Sequence, residues 1–132
     1  MSENKKPLVM LVEDDDGARL IIRRLINMFG CEVEDCSHGL YAHRRLSELH
    51  VLGKSNYFKL ILSDIDMPEM DGIAFAREAA DLAPKTPFVL MTGNPTRNYP
   101  DKVKDYVSEI LAKPFDKTGL KSIINKYVFN LR

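Results

Sequence analysis

Short apolar runs alternate along this chain with longer segments whose apolar residues recur at helical spacing. The short runs are apolar almost throughout, which is typical of parallel strands that are covered on both faces. In the first longer segment, Ile21, Ile22, Leu25 and Ile26 return every three or four positions. The alternation of strand and helix therefore predicts an α/β fold with a parallel sheet.

Glycines, prolines and the ends of the apolar runs give the expected bounds of five strands and five helices. The strands are predicted over 8–12, 32–36, 58–63, 88–91 and 109–112. The helices are predicted over 16–29, from 37–39 to 50, over 72–83, 101–107 and 116–129. Right-handed crossovers would place these helices on both faces of a doubly wound five-stranded sheet.

Length and charge narrow the classes of protein to consider. The 132 residues suit a single domain over 1–132, with 1–6 expected to be a flexible N-terminus. Lysine plus arginine and aspartate plus glutamate both number 19, which argues against nucleic acid or an anionic membrane as the main partner.

The run 8–12 is too short for the core of a signal peptide, so a cytoplasmic location is expected. Cys31 and Cys36 are expected on opposite faces of the sheet, without a disulfide.

Polar side chains follow four of the five predicted strands. The first strand is followed by Glu13 and Asp14, the third by Asp64, the fourth by Thr92 and the fifth by Lys113. Because the carboxyl ends of parallel strands lie at one edge of a sheet, we expect these side chains to converge there.

Carboxylates that share one pocket need a compensating positive charge. Two carboxylates about 4 Å apart repel each other by ~4 kcal/mol at an effective dielectric constant near 20. Mg²⁺ is the expected cofactor, since it binds carboxylate, water and phosphate oxygens. A carboxylate can also act as a nucleophile and become an aspartyl-phosphate, with a lysine and a hydroxyl holding the phosphoryl oxygens. The cluster thus predicts a metal-assisted phosphoryl-acceptor site.

Four short segments together resemble the receiver domains of two-component response regulators, in the CheY-like superfamily. They are VEDD at 12–15, LSDIDMPEMDG at 62–72, MTG at 91–93 and AKPF at 112–115. Each segment alone is a weak signal, but the four in this order, each at a strand end, are specific. The resemblance covers about 7–127 and implies a flavodoxin-like strand order, 2-1-3-4-5.

The resemblance implies that Asp64 accepts a phosphoryl group from a histidine kinase or a histidine phosphotransfer protein. Glu13, Asp14 and Asp64 would hold Mg²⁺ together with the backbone carbonyl of Asp66, and Asp14 would be a more direct ligand than Glu13. Such a domain switches a protein-interaction surface for a downstream protein that the sequence does not identify. Its only catalysis would be its own phosphoryl uptake and autodephosphorylation. No output domain is expected in this chain, and the sequence leaves open a free-standing regulator, an intermediate of a phosphorelay or a fragment of a hybrid kinase.

Thr92 and Lys113 would each bind an oxygen of the phosphoryl group, and the peptide bond between Lys113 and Pro114 would be cis. The chain departs from the family pattern at Ile110, where an aromatic residue is usual three positions before the lysine. It also departs at 95–100, which reads as irregular where a helix is common, and at 46–57, which is longer than usual. These departures predict an output that uses shifts of the backbone or the loops.

Two other functions are compatible with parts of the pattern. Asp64-Ile65-Asp66 is similar to the Asp-x-Asp of haloacid-dehalogenase-like hydrolases, in which Asp66 would be the general acid. That motif belongs on the first strand of a larger domain, whereas here it follows the third. A degenerate receiver that binds its partner without phosphorylation is the other alternative, which the intact set of site residues disfavours.

Overall fold

A computed structural model describes residues 5–94 and 96–131. The strands are β1 (Leu8–Val12), β2 (Glu32–Cys36), β3 (Leu60–Asp64), β4 (Phe88–Thr92) and β5 (Glu109–Ala112). The helices are α1 (Asp16–Met28), α2 (Gly39–Val51), α3 (Gly72–Leu82), a 3₁₀ helix (Asp101–Asp105) and α4 (Lys117–Tyr127). The expectation of a flexible N-terminus falls largely on 1–4, outside the described residues.

All five strands pair in parallel, in the order β2-β1-β3-β4-β5, which confirms the predicted doubly wound sheet. The first strand, β1, lies in the interior of the sheet, with β2 on one side and β3 on the other. In such sheets the crevice outside the carboxyl ends of the strands is where ligands bind. Val12 pairs with Ser63 across β1 and β3, so the two strands end side by side.

Alternate residues of β1 enter two separate hydrophobic cores. Val9 and Leu11 pack with apolar residues of α1 and α4, on one face of the sheet. Met10 and Val12 pack with residues of α2 and α3 on the other face. Because both faces are covered, the interior strands β1 and β4 are apolar along nearly their whole length, as the sequence pattern indicated, whereas the edge strand β2 carries three acidic residues. Among the described residues no helix combines the length and the apolar character needed to cross a membrane.

The two cysteines lie in different cores, as predicted. Cys31 is buried on the α1/α4 face and Cys36 on the α2/α3 face, and both are free thiols. Burial raises the pKa of Cys31 to about 11 and, with help from nearby carboxylates, that of Cys36 to about 12. Both side chains therefore behave as small apolar core residues.

Aspartates set the start of three helices. Asp15, Asp71 and Asp116 each accept a hydrogen bond from the backbone N–H three residues later, at the first turn of α1, α3 and α4. A carboxylate at this position satisfies a backbone donor that has no partner within the helix, and it also interacts favourably with the helix dipole.

The prediction of five α-helices is wrong, because the fourth one is replaced by a short 3₁₀ helix. The helix expected over 101–107 is the five-residue segment Asp101–Asp105. Pro100 holds its own backbone extended immediately before it, and Val103 is the only buried residue of the segment. One buried side chain is too little apolar surface to hold a full helix against the sheet. The stretch 96–100 is irregular as predicted, and Pro95 lies outside the described residues.

Candidate functional site

Three carboxylates meet where β1 and β3 end. Glu13 and Asp14 directly follow β1, and Asp64 is the last residue of β3. One carboxylate oxygen from each residue lies within 4.8 Å of the others. Glu13 and Asp64 are buried, whereas Asp14 is exposed. The pocket is therefore accessible from solvent on the side of Asp14.

Lys113 reaches the carboxylates from β5, which β4 separates from β3. Its Nζ lies 2.6 Å from Oε1 of Glu13 and 3.4 Å from Oδ1 of Asp64. Its backbone N–H donates a hydrogen bond of 2.6 Å to the carbonyl oxygen of Thr92 at the end of β4. The peptide bond between Lys113 and Pro114 is cis, as the family resemblance implied.

The pocket holds more negative charge than its single amine compensates. Burial, and then the charge of Glu13, raise the pKa of the Asp64 carboxyl from 3.8 to about 6 although Lys113 lowers it. Burial alone would lower the pKa of Lys113, but its hydrogen bond to Glu13 and the charges of both acids outweigh that effect and raise it. The amine is thus firmly protonated, and the excess of negative charge favours binding of a cation.

The two buried carboxylates differ in how many of their oxygens are engaged. Oε1 of Glu13 accepts from Lys113, and its Oε2 accepts a hydrogen bond of 3.2 Å from the backbone N–H of Asp15. Asp64 uses only Oδ1, which accepts from the backbone N–H of Ile65 at 3.0 Å. Its Oδ2 has no hydrogen-bond partner in the described part of the chain. Oδ2 of Asp64 is therefore the oxygen most available to act as a nucleophile or a metal ligand.

The donor set fits a hard divalent cation. It consists of carboxylate oxygens, which Mg²⁺ prefers, and it includes no sulfur or imidazole ligand. Asp14 and Asp64 offer free oxygens, whereas the carboxylate of Glu13 is already held by Lys113 and Asp15. Glu13 therefore suits the role of anchoring the amine at least as well as that of a direct ligand. A cation bound here would supply charge neutralisation to the acids and to an incoming anionic group.

Thr92 and Asp66 lie at the same edge of the sheet but are engaged elsewhere. The Thr92 hydroxyl accepts from the backbone N–H of Asn94 at 2.9 Å and donates to its carbonyl oxygen at 3.3 Å. The side chain of Asp66 pairs with Arg97, with Oδ1 and Nη1 3.3 Å apart. The structure thus places Glu13, Asp14, Asp64 and Lys113 in one pocket, and it leaves the Thr92 hydroxyl and the Asp66 carboxylate bonded to other groups.

Three residues in or beside the pocket make contacts that the sequence pattern did not indicate. Arg19 of α1 donates from Nη1 to the carbonyl oxygen of Glu13 at 2.8 Å. Arg97 lies in the irregular stretch, where no periodicity indicates a partner. Gly72 was predicted as a helix start, but a Cβ at this position would overlap the carbonyl oxygen of Asp64. A glycine after a Pro-containing loop was the one available signal for that close approach.

Comparison with known proteins gives a consistent result. A family model described as "Response regulator receiver domain" matches residues 9–125. The response regulator receiver protein CpdR of Brucella abortus is 33% identical over 124 residues, which cover 89% of this chain and 93% of that protein. Transcription factor SKN7 of Chaetomium thermophilum is 30% identical over 132 residues, 99% of this chain. The chain spans only 17% of that protein and 22% of the SKN7 of Candida albicans.

Solved structures of the same fold align with nearly the whole chain. A response regulator receiver domain protein from Clostridium thermocellum superposes with a TM-score of 0.80 at 22% identity, covering 94% of this chain and 95% of its own. The receiver domain of the sensor histidine kinase PA1611 from Pseudomonas aeruginosa PAO1 gives a TM-score of 0.80 at 22% identity, covering 94% and 98%. That domain was solved with a magnesium ion coordinated in its active site cleft. At an identity of 22%, these two similarities show only that the fold is shared.

Proposed function

Because the chain belongs to the response regulator receiver domain family, we propose that Asp64 accepts a phosphoryl group and that this modification switches a protein-interaction surface. The observation that carries the proposal is the protonated amine of Lys113, 3.4 Å from Oδ1 of Asp64 in a pocket with two further carboxylates. We propose a histidine kinase or a histidine phosphotransfer protein as the donor, and Mg²⁺ held by Asp14, Asp64, Glu13 and the Asp66 carbonyl as the cofactor.

In the proposed transfer, Oδ2 of Asp64 attacks the phosphorus atom of a phosphohistidine. The new bond joins this oxygen to phosphorus, the P–N bond breaks, and its electron pair returns to the donor imidazole. Lys113 stabilises the charge on a phosphoryl oxygen through a charge-assisted hydrogen bond, and Glu13 keeps the amine in place for it. Preorganised charges of this kind are the main source of catalysis in phosphoryl transfer.

The proposed output begins at Thr92. Phosphorylation adds about −1.5 to −2 charges at the end of β3. The Thr92 hydroxyl would then exchange its bonds to Asn94 for a bond to a phosphoryl oxygen, and the loop after β4 would follow. Ile110 stands where the family usually has an aromatic residue, and its apolar side chain has no polar group that could form a hydrogen bond in response to this movement. The loop itself is therefore the proposed signal to the downstream protein.

The proposed docking site of the phosphodonor is an apolar groove beside the pocket. Ile21 and Leu25 of α1 line it on one side, and Pro114 and Phe115 line it on the other, in a volume of about 510 Å³. Ile21 is 61% exposed although it is a large apolar residue. Since Lys113 also borders the groove, a partner that covers it could present its histidine to Asp64.

We also propose a cytoplasmic location. The two buried cysteines are free thiols, which agrees with a reducing compartment.

Intact-mass spectrometry after incubation with acetyl phosphate and Mg²⁺ tests this proposal directly. We expect one phosphoryl adduct on the parent protein and none on Asp64→Asn, and we expect EDTA to suppress the adduct. Uptake of the group by Asp64→Asn would refute the assignment of the acceptor. Repeated turnover of an external phosphate ester would instead support the haloacid-dehalogenase-like alternative, and a folded parent that takes up nothing would support a degenerate receiver.

A further inference from the structure

The solvent-facing side of α2 has the pattern of a helix that packs against another helix. An exposed stripe runs along it, which we name the α2 stripe and which consists of Leu40, Tyr41, Arg44, Glu48, Val51 and Leu52. Its four central members follow one another at intervals of three, four and three residues, the spacing at which the side chains of two helices interlock. We propose that the α2 stripe binds the same stripe of a second copy of this chain, with the two helices antiparallel. This inference goes beyond the proposed function and does not depend on phosphorylation.

The apolar members of the α2 stripe are exposed to an extent that folding alone does not explain. The exposed fractions are 41% for Leu40, 55% for Tyr41, 83% for Val51 and 65% for Leu52. Single exposed apolar residues are common on protein surfaces, but four on one helix face form a patch, and patches mark interaction sites. Val51 and Leu52 also belong to 46–57, where the sequence departs from the family pattern.

The other residues of α2 are already engaged within the molecule. Ala42, Leu46 and Leu49 are buried in the core that α2 shares with α3. Arg45, which borders the stripe, donates two hydrogen bonds to the carboxylate of Glu34, at 2.6 and 3.1 Å. The α2 stripe is therefore the side of this helix that a second molecule can cover without disturbing the fold.

The α2 stripe is complementary to itself when the second copy runs in the opposite direction. A two-fold axis beside the middle of α2 pairs each member with one from the other copy: Leu40 with Leu52, Tyr41 with Val51, and Arg44 with Glu48. Apolar residues thus meet apolar residues at both ends of the interface, and opposite charges meet at its centre.

Charge selects the antiparallel direction over the parallel one. Arg44 and Glu48 are both exposed, and neither forms an ion pair with another residue in the described part of the chain. In an antiparallel pair, symmetry makes the contact between arginine and glutamate twice. In a parallel pair, arginine would face arginine and glutamate would face glutamate. Because like charges across an interface are unfavourable, the second copy fits in one direction only.

One helix face from each copy supports a weak dimer. α2 has 13 residues and is therefore about 20 Å long. An interface of this length lies near the lower end of the area that specific complexes bury, so we expect a dissociation constant on the order of 100 µM. α2 and α1 cover opposite faces of the sheet, so the dimer leaves the groove beside Ile21 and Leu25 free.

Sedimentation equilibrium of the unphosphorylated full chain, from about 10 µM to about 1 mM, measures the association. The parent should pass from monomer to dimer over this range. Arg44→Glu and Glu48→Arg should each remain monomeric, because each change places like charges opposite one another at both symmetry-related contacts. Val51→Ser should weaken the dimer about tenfold, since symmetry counts its lost apolar contact twice.

Restoration of the dimer by combined variants is the sharpest part of the test. An equimolar mixture of Arg44→Glu and Glu48→Arg should associate again, because every charged contact between the two variants joins opposite charges. One chain that carries both changes should also dimerise. The matched control is Lys121→Glu, at an exposed position of α4, which changes the net charge as much as Arg44→Glu does and should dimerise like the parent.

A parent that remains monomeric at about 1 mM would overturn the proposal and leave the α2 stripe to a different partner. A dimer that tolerates both single charge reversals, or a mixture of the two variants that does not associate, would overturn it as well. Melting temperatures equal to that of the parent exclude misfolding of the variants. Arg44→Glu should take up a phosphoryl group from acetyl phosphate as the parent does. Failure of uptake by the parent would refute the proposed function and leave the dimer unaffected.

Discussion

Asp64 combines burial with a neighbouring negative charge, and each makes its ionised form costly. Burial and the charge of Glu13 raise the pKa of this carboxyl to about 6, above its ordinary value of 3.8. The residue proposed as nucleophile is therefore held in a strained electrostatic state until a cation or the phosphoryl group arrives. Functional sites commonly accept such a cost in stability in exchange for reactivity.

This cost makes the stability of the metal-free protein depend on pH in a defined direction. Between about pH 4 and pH 6 the folded state binds more protons at Asp64 than the unfolded state, so stability falls as the pH rises. Asp64→Asn removes the ionisable carboxyl and should raise the free energy of unfolding by about 1–3 kcal/mol at pH 7, and by much less at pH 4. Urea unfolding of parent and variant in EDTA, at pH 7 and at pH 4, measures this difference. An equal difference at the two pH values would contradict the electrostatic explanation.

At the scale of elements, the position of Asp64 depends on how closely α3 approaches the end of β3. The backbone N–H of Gly72 donates to the carbonyl oxygen of Ile65 at 2.7 Å, which places the start of α3 against the strand end. A Cβ on Gly72 would meet backbone atoms of Asp64 and Ile65. Backbone atoms cannot rotate away as a flexible side chain can, so the contact requires glycine.

Gly72→Ala should therefore both destabilise the fold and impair the site. We expect a loss of about 1–3 kcal/mol, the usual cost of overpacking, and slower phosphoryl uptake because Asp64 moves with its backbone. The matched control is Gly17→Ala, in the first turn of α1, where the added Cβ makes only an ordinary contact with Asp15. That change should be neutral or slightly stabilising, since alanine favours helix. Urea unfolding and uptake kinetics of the two variants make the comparison.

The elements also show which features the sequence could predict. Alternating strands and helices, the parallel sheet and the acids at its edge follow from local pattern, because apolar periodicity and strand ends are local properties. The prediction of a fourth α-helix over 101–107 was wrong because Pro100 and the scarcity of buried apolar residues outweigh a weak helical pattern there. The bonds from Thr92 to Asn94, and from Arg97 to Asp66, depend on side-chain and loop conformations that no local pattern specifies.

At the scale of the molecule, the site is assembled from segments far apart in the chain. Glu13 and Lys113, which are 100 residues apart, form the shortest ion pair of the pocket. The parallel topology brings them together because every strand ends at the same edge. A cation that binds this edge therefore binds only the folded protein, and its binding free energy adds to the stability of the whole domain.

Mg²⁺ should accordingly raise the melting temperature of the parent protein in a saturable way. A concentration of 100 times the dissociation constant would contribute about 2.7 kcal/mol. Asp64→Asn should gain less from Mg²⁺, because it lacks one of the ionised ligands. Thermal unfolding across a Mg²⁺ titration, with NaCl matched for ionic strength, separates specific binding from screening. Identical gains for parent and variant would argue against a cation site that includes Asp64.

The late position of Lys113 in the chain has a consequence for biosynthesis. A growing polypeptide contains Glu13, Asp14 and Asp64 long before it contains the amine that compensates them. Lys113 follows β5, the last strand of the sheet, so a chain that ends before it contains the three acids but lacks the amine that pairs with Glu13. The complete pocket therefore exists only after the whole sheet has been synthesised.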